Sequence, residues 1–249
     1  MSTTIKALSL AIATMLVLMT SPISLSQQGT SVYEGDWPSW AGSSNASRYS
    51  PLDQITAENV EDLEIAWRWS TQGFGPGTDF VNPSTPLEID GVLYANVGTT
   101  RNVVALDATS GQVLWMYRYD EGTRFDEAPR KGAGRGVSYY NNGEKSRIFD
   151  ISPGYQLVSL DPATGIPDPS FGEDGLVDLY VGVRNGDDPR FAYPDIGISA
   201  PPFIMNDVIV VGAAHRTGGR PRAKLNTKGD IRGFDVHSGE LLWTFHTIP

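Results

Sequence analysis

The stretch VVALDATSGQVLWMY at residues 103–117 returns in closely similar form as IRGFDVHSGELLWTF at residues 231–245. Both consist of an apolar run, a polar turn and a second apolar run that contains a tryptophan. The aligned pairs are Asp107 and Asp235, Ser110 and Ser238, Gly111 and Gly239, and Trp115 and Trp243. A shorter third copy, LVSLDPATG, occupies residues 157–165. Internal similarity of this kind indicates a fold built from repeated units.

One copy predicts two strands joined by a tight turn. The Asp side chain can accept hydrogen bonds from the amides of its own turn, Ser or Thr can do the same, and Gly supplies the positive φ that the reversal needs. The Trp offers a large flat surface for packing against a neighbour. Further hairpin signals precede the copies, at Asp90-Gly91, Asn142-Gly143 and Asn206-Asp207. Upstream of these lie the apolar segments TPLEI, GVSYY and APPFI, so each unit is predicted to have four strands.

The predicted fold is all-β, a β-propeller of four-stranded antiparallel blades. A β-sandwich is the alternative, but it does not predict the same turn and Trp in successive units. The second copy departs from the pattern, because Pro169 stands where Trp would be and Phe171 follows two positions later. We therefore expect one altered contact between blades.

The chain is too short for a large closed ring. Repeats of about 40–50 residues divide the roughly 220 residues after the first 26 into four or five blades at most, and we expect about four of a probable eight. The segment AWRWS at residues 66–70 resembles an outer strand without inner strands of its own, and no new hairpin follows the last copy before Pro249. Residues 27–249 are therefore interpreted as the N-terminal part of a larger propeller.

Residues 1–26 are predicted to be a secretory signal peptide. Lys6 is their only charge, an apolar run covers residues 7–20, and small residues precede Gln27. The alternative, a membrane anchor, needs roughly 20 apolar residues. The prediction is export to the periplasm, with association to the membrane left open.

Composition excludes several kinds of function. The formal net charge of −10 argues against nucleic acid as a partner. The chain has no cysteine, so it carries no disulfide, lipid-modified cysteine, thiolate metal site or haem-attachment motif.

The leading ends of the innermost strands are expected to meet at the axis of a propeller. They are Asn82-Pro83-Ser84-Thr85, Gly134-Arg135-Gly136 and Ile198-Ser199-Ala200-Pro201. The glycine-rich approach RKGAGRG places Arg130, Lys131 and Arg135 nearby. There the guanidinium groups could hold carboxylates, although a solvated basic loop is an equally good interpretation.

The third unit has a longer loop between its middle strands. The loop is basic, with Arg216, Arg220, Arg222, Lys224 and Lys228. It suggests an anionic ligand, with His215 and Arg216 as the better candidates because they follow closely on Gly212; its outer part could equally be a flexible surface loop. His237 and His246 are interpreted as structural.

Four stretches carry a resemblance to a known family. They are DWPSWAGSSNASRYSPLDQITAENVEDLEIAW at 36–67, GRGVSYY at 134–140, GYQLVSLDPATG at 154–165 and IRGFDVHSGELLWTFHTIP at 231–249. Through them the chain resembles the quinoprotein dehydrogenases, which are eight-bladed propellers that bind pyrroloquinoline quinone (PQQ). The similarity is greatest to the branch of membrane-type glucose dehydrogenases and related sugar or polyol enzymes.

The resemblance implies an activity and a site. PQQ takes a hydride from an alcohol, polyol or sugar, Ca²⁺ assists as Lewis acid, and electrons pass to an acceptor such as a cytochrome c or ubiquinone. Arg135 matches a cofactor-contacting arginine, Ser199 a hydroxyl position, and Lys131 a position that often holds histidine. The loop that lines the cofactor matches Gly212, Ala213, His215, Arg216 and Thr217.

Departures from the family limit this carry-over. Gly132–Gly134 replace the paired cysteines of methanol dehydrogenases, Asn82-Pro83 replace a glutamate, and residues 215–217 lack the calcium-binding carboxylate. The catalytic aspartate and the metal ligands are unknown here, because in the family they belong to later blades, which are expected beyond Pro249. The isolated chain is therefore expected to be inactive. The alternative function is a non-enzymatic periplasmic propeller that serves as a binding scaffold.

Overall fold

The computed structural model describes residues 35–43, 45–187, 189–216, 218 and 223–248. The predicted signal peptide, Thr217, Arg220, Arg222 and Pro249 lie outside the described residues.

The first antiparallel sheet follows a short 3₁₀ turn at Val60–Asp62 and a long segment without helix or strand. Its strands, in sheet order, are β1 (Leu87–Ile89), β2 (Val92–Val97), β3 (Asn102–Asp107) and β4 (Val113–Tyr117). Strands β2 and β3 pair from Val92 opposite Asp107 to Val97 opposite Asn102. The predicted hairpin at Asp90-Gly91 is confirmed by the pairing of β1 with β2. A short helix, α1 (Thr123–Glu127), follows the sheet.

The second sheet has the same order but a displaced outer strand. Its strands are β5 (Ser138–Asn141), β6 (Ser146–Ile151), β7 (Gln156–Leu160) and β8 (Leu176–Asp178). Asp168 accepts a hydrogen bond from the Ser170 amide at 3.1 Å, and the Gly175 amide donates to the Phe171 carbonyl at 2.9 Å. These turns occupy the region aligned with the Trp repeat position, so the outer strand begins only after them.

The third sheet is joined by a short additional ribbon. The strands in chain order are β9 (Ile196–Gly197), β10 (Phe203–Met205), β11 (Val208–Val211), β12 (Ala214–His215), β13 (Ile231–Asp235) and β14 (Leu241–Phe245). The sheet itself has the order β10-β11-β13-β14, and β12 pairs with β9. The inserted loop of the third unit thus folds back on the strand that precedes its own blade.

The repeated Asp closes each turn as the sequence predicts. Asp107 Oδ1 accepts hydrogen bonds from the Ser110 amide at 2.7 Å and the Ser110 hydroxyl at 2.6 Å. Asp235 makes the same two contacts with Ser238, at 2.7 and 2.8 Å. These contacts hold the pKa of both aspartates below the ordinary value, although burial opposes the shift at Asp235.

Successive blades dock through tryptophan. The Trp67 indole N–H donates to the Ala108 carbonyl at 3.0 Å, and the Trp115 indole N–H donates to the Pro162 carbonyl at 2.8 Å. Each ring lies directly over the turn glycine of the next unit, Gly111 or Gly165, where any Cβ would collide with the indole. The predicted docking role of the repeated Trp is confirmed at these two junctions.

The junction between the second and third blades uses a different contact. Phe171 is fully buried and stands 3.1 Å from where a Cβ on Gly239 would lie. The Gly172 amide donates to the Ser238 carbonyl at 2.8 Å, so a main-chain donor replaces the indole N–H. The altered contact expected from Pro169 and Phe171 is observed.

The described residues form three complete blades, and the segment around Trp67 covers the outer face of the first blade as an outer strand would. Three complete blades and this part of a further blade agree with the expectation of about four. The equivalent Trp243 on β14 is 41% exposed. Two buried cores, one at each junction between complete blades, hold the leading ends in a fixed relation.

Candidate functional site

The leading ends of the three innermost strands are in contact. The Thr85 amide donates to the Arg135 carbonyl at 3.1 Å, and the Arg135 amide donates to the Ser199 carbonyl at 2.9 Å. The convergence predicted from the propeller geometry is therefore observed. We refer to Thr85, Arg135 and Ser199 as the leading-end cluster.

The buried side chain of Arg101 supports the leading-end cluster through hydrogen bonds. It is 1% exposed, and its guanidinium donates to four main-chain carbonyls. These are Gly132 at 3.1 Å, Ile151 at 2.8 Å, Ile198 at 2.7 Å and Arg130 at 2.8 Å. One side chain from the first blade thus fixes the approach to Arg135, the end of β6 and the residue before Ser199.

A buried carboxyl group accompanies Arg101. Asp150 is 2% exposed and accepts a hydrogen bond from the Tyr119 hydroxyl at 2.9 Å. Burial raises the pKa of Asp150 to about 6, although the charge of Arg101 and the Tyr119 hydroxyl oppose the shift. Asn96, also buried, accepts a hydrogen bond from the Gly136 amide at 3.1 Å. The backbone next to Arg135 is therefore held by a buried polar layer.

The cations predicted near the axis have different environments. The Arg135 side chain is exposed and makes no hydrogen bond or ion pair with the described part of the chain. Lys131 instead donates to the Asp126 carbonyl at 2.6 Å and lies 5.0 Å from the centre of the Phe125 ring. Lys131 is therefore engaged with α1, whereas Arg135 is available to a ligand.

The loop that begins at Gly212 packs against the second and third blades. The Gly212 carbonyl accepts from the Tyr155 hydroxyl at 2.7 Å, and Ala213 packs against the core between these blades. His215 Nε2 is 2.9 Å from the Thr227 carbonyl. Arg216 is exposed, with Nε 3.5 Å from Asp195 Oδ1.

Arg216 also donates to the Glu127 carbonyl at 3.2 Å, so it is partly committed to protein partners. The two histidines interpreted as structural do contact protein groups. His237 lies edge-on to the Tyr140 ring, and His246 Nδ1 is 3.1 Å from Asp230 Oδ2.

The arrangement is suited to an anion. Arg135 and Arg216 are exposed cations on a chain of net charge −10, and the main chain around Arg135 is rigidly held. Guanidinium groups can hold carboxylates bidentately. Within the described residues, no group of three or more His, Asp or Glu side chains could hold a metal ion. The catalytic base and metal ligands expected beyond Pro249 stay a prediction.

Fold and site together define a partial β-propeller whose innermost strands meet at an arginine. Residues 37–249 match the family of the PQQ-dependent glucose/ethanol/alcohol dehydrogenase β-propeller domain. The chain belongs to this family.

Similar proteins include three oxidoreductases. The large subunit of glycerol dehydrogenase from Gluconobacter oxydans is 28% identical over 88% of this chain and 29% of its own length. Quinoprotein glucose dehydrogenase from Escherichia coli is 30% identical over 86% of this chain and 27% of its own length. The solved structure of quinohemoprotein alcohol dehydrogenase ADHIIG from Pseudomonas putida superposes with a TM-score of 0.64 at 27% identity, covering 87% of this chain and 27% of that one.

This chain therefore spans less than a third of each of these relatives. Within the residues that the structure describes, no helix is long and apolar enough to cross a membrane.

Proposed function

We propose that this chain forms the PQQ-holding wall of a dehydrogenase that oxidises an alcohol, polyol or sugar. The observation that carries the proposal is the state of Arg135. Its backbone is fixed between Thr85 and Ser199, while its exposed guanidinium has no partner in the described chain. Because its backbone is already fixed, a carboxylate ligand would need to order only the exposed side chain of Arg135 and not its main chain.

The cofactor of the family fits this site. PQQ carries carboxylates, and Arg135 together with the less available Arg216 would hold them on the side of the leading-end cluster. When bound, the quinone would serve as the acceptor of a hydride from the substrate carbon. The chain's own contribution is to bind and orient, since Arg101 and Asn96 fix the backbone on both sides of Arg135.

Ca²⁺ is proposed for the whole enzyme from family membership, but the described residues do not form a site for it. The ion prefers six to eight oxygen ligands with several carboxylates. The Gly212 loop offers His215 and Arg216 instead of carboxylates. No step of the reaction is therefore assigned to a metal held by this chain.

Substrate, electron acceptor and location are parts of the same proposal. The names of the relatives support a small alcohol, glycerol or a sugar as substrate. A cytochrome c or ubiquinone is proposed as the acceptor, and the predicted leader supports export to the periplasm. Because the chain spans less than a third of its relatives, we expect no turnover from it alone.

The test is a titration of the chain with PQQ, in which binding is monitored through the absorbance of the quinone. Replacing Arg135 by Ala is expected to weaken binding by about 1.5–3 kcal/mol, the range for a hydrogen bond to a charged group. Arg68→Ala removes another exposed arginine whose side chain makes no hydrogen bond or ion pair within the described chain, and it serves as the matched control. Equal affinities of the Arg135→Ala and Arg68→Ala variants would remove Arg135 from the site.

A further inference from the structure

The buried charge of Arg101 lies against the backbone of the leading-end cluster. A Cβ on Gly134, the residue before Arg135, would stand 2.8 Å from Arg101 Nε. The guanidinium also donates to the Ile198 carbonyl at 2.7 Å, and Ile198 precedes Ser199. Because Arg101 is only 1% exposed, water and salt screen its charge poorly. An anion bound at Arg135 is therefore attracted by a second cation that it does not touch.

Asp150 offsets the charge of Arg101 when its carboxyl group is ionised. The carbonyl of the next residue, Ile151, accepts a hydrogen bond from Arg101 at 2.8 Å, so the two charged groups occupy the same buried layer. Within the described chain no direct ion pair joins them, because Arg101 donates to four main-chain carbonyls instead. Protonation of Asp150 therefore changes the charge of the layer without breaking a hydrogen bond of Arg101.

The other groups that face this pair are two tyrosines, an amide and a second carboxylate. Burial raises the pKa of Tyr119 well above the ordinary value and also raises the pKa of Tyr117, so both phenols stay uncharged. Asn96 does not titrate, and the Glu121 carboxylate accepts from a serine hydroxyl at 2.6 Å and a glycine amide at 2.9 Å. Burial raises the pKa of Asp150 to about 6. Asp150 is therefore the group through which this layer takes up a proton near that pH.

We propose that the protonation state of Asp150 sets the affinity of the leading-end cluster for anions, through the charge of Arg101. Ionised Asp150 neutralises Arg101, and an anion then meets only the exposed cations Arg135 and Arg216. Protonated Asp150 leaves the buried cation uncompensated next to the cluster, and the anion is held more tightly. This inference rests on the anion site of the proposed function, but it does not require that the anion be PQQ.

The sign and size of the effect follow from the charges. A bound anion repels the Asp150 carboxylate and raises the pKa of that group further, so binding takes up protons. Affinity should therefore rise as the pH falls through about 6. Two unit charges about 10 Å apart, at an effective dielectric constant of about 20, change a binding equilibrium by about tenfold, and salt reduces this. We expect binding to be about three- to tenfold tighter at about pH 5 than at about pH 7.5.

The experiment titrates the full chain with naphthalene disulfonate, a fluorescent dianion that does not titrate in this pH range. Asp150→Asn keeps the size of the side chain but stays neutral, so its affinity should be high at both pH values. His215→Gln removes another group near the cluster that can take up a proton, and the pH dependence should remain. Asp53→Asn changes an exposed carboxylate outside the buried layer and should behave as the wild type. Arg135→Ala should weaken binding at both pH values.

Circular dichroism at each pH confirms that every variant is folded, and calorimetry in buffers of different ionisation heat measures proton uptake by the wild type without any substitution. Tighter binding at low pH, with proton uptake that His215→Gln keeps and Asp150→Asn loses, supports the proposal. Equal affinity at both pH values overturns it, as does a pH dependence that persists in Asp150→Asn.

Two further outcomes concern the site itself. The proposal is overturned if the dianion shows no saturable binding, or if Arg135→Ala leaves its binding unchanged. Binding of PQQ with an affinity that does not vary between about pH 5 and 7.5 would overturn this inference and leave the proposed function standing. Binding of the disulfonate with the expected pH dependence, but no binding of PQQ, would count against the proposed function alone.

Discussion

Replacement of Gly165 by Ala tests whether the contact between blades, and not the turn alone, requires glycine. Gly165 has φ of +70°, and a Cβ there would stand 2.6 Å from Cδ2 of Trp115. Gly143, in a hairpin of the same blade, has φ of +88° and nothing within 4 Å of the corresponding position. Both alanine variants therefore meet the left-handed backbone penalty, but only Gly165→Ala also displaces an indole.

The expected magnitudes follow from these two contributions. The left-handed backbone costs an alanine about 1–2 kcal/mol. Forcing an extra carbon into a packed contact adds about 1–3 kcal/mol. We expect Gly143→Ala to lose about 1–2 kcal/mol of the free energy of unfolding and Gly165→Ala to lose about 2–5 kcal/mol.

The assay is equilibrium unfolding in urea, monitored by far-UV circular dichroism. A second comparison places both glycine variants in a Trp115→Leu background, where the difference between them should shrink because the ring is gone. Equal losses for the two glycine variants in the native background would refute the reasoning. So would a difference that persists without the indole, since it would then arise from the turn itself.

Two further predictions concern buried charges. Arg147, which is 3% exposed on its side chain, lies 2.7 Å from Asp168 and donates to the Val236 carbonyl in the next blade. Asp168 keeps its ion pair with Lys145 at 2.6 Å, so Arg147→Met should cost about 1–3 kcal/mol in thermal or urea unfolding, chiefly because the Val236 carbonyl loses its donor, and no measurable loss would contradict this account. Asp150 has its pKa raised to about 6, so the folded state binds more protons than the unfolded state between about pH 4 and 6, and stability falls as pH rises through this window. Relative to Asp150→Asn, the wild type should lose about 2–3 kcal/mol between about pH 4 and 7. A difference independent of pH would show that the carboxyl group is not perturbed.

Most of the fold could be predicted from the sequence because the signals that specify it are short and recur along the chain. The hairpin signal and the Asp turn act within a few residues, and the Trp, although its partner is distant, stands at the same offset from Asp107 and from Asp235. Strand β2 begins directly after the Asp90-Gly91 signal. The outer strand β8 could not be placed, because the turns built by Asp168 and Gly175 delay it without any apolar signal. The short helix α1 gives too little sequence to produce a helical period.

Site residues could be located from the sequence only where the propeller topology alone determines the position of the residue. Arg135 lies at the start of an innermost strand, so any propeller brings it to the axis. Lys131 is close to Arg135 in sequence, but Lys131 contacts the carbonyl of Asp126 in a helix that the sequence pattern does not predict. Arg101 and Asp150 were missed because their partners are distant in the chain. For Asp150, the available signal was a carboxylate between the apolar residues Phe149 and Ile151.

The contacts of Arg101 have a consequence for how this surface can be altered. All four of its acceptors are main-chain oxygens, which every amino acid possesses. Gly132 has φ of +93° and Ile151 is buried in the core, so both must keep their residues, but residues 130 and 198 are half-buried and can exchange side chains without removing an acceptor from Arg101. A library that randomises these two positions and keeps Arg101 would vary the chemistry of the surface around a constant frame, which makes this region a rational starting point for engineering new ligand selectivity.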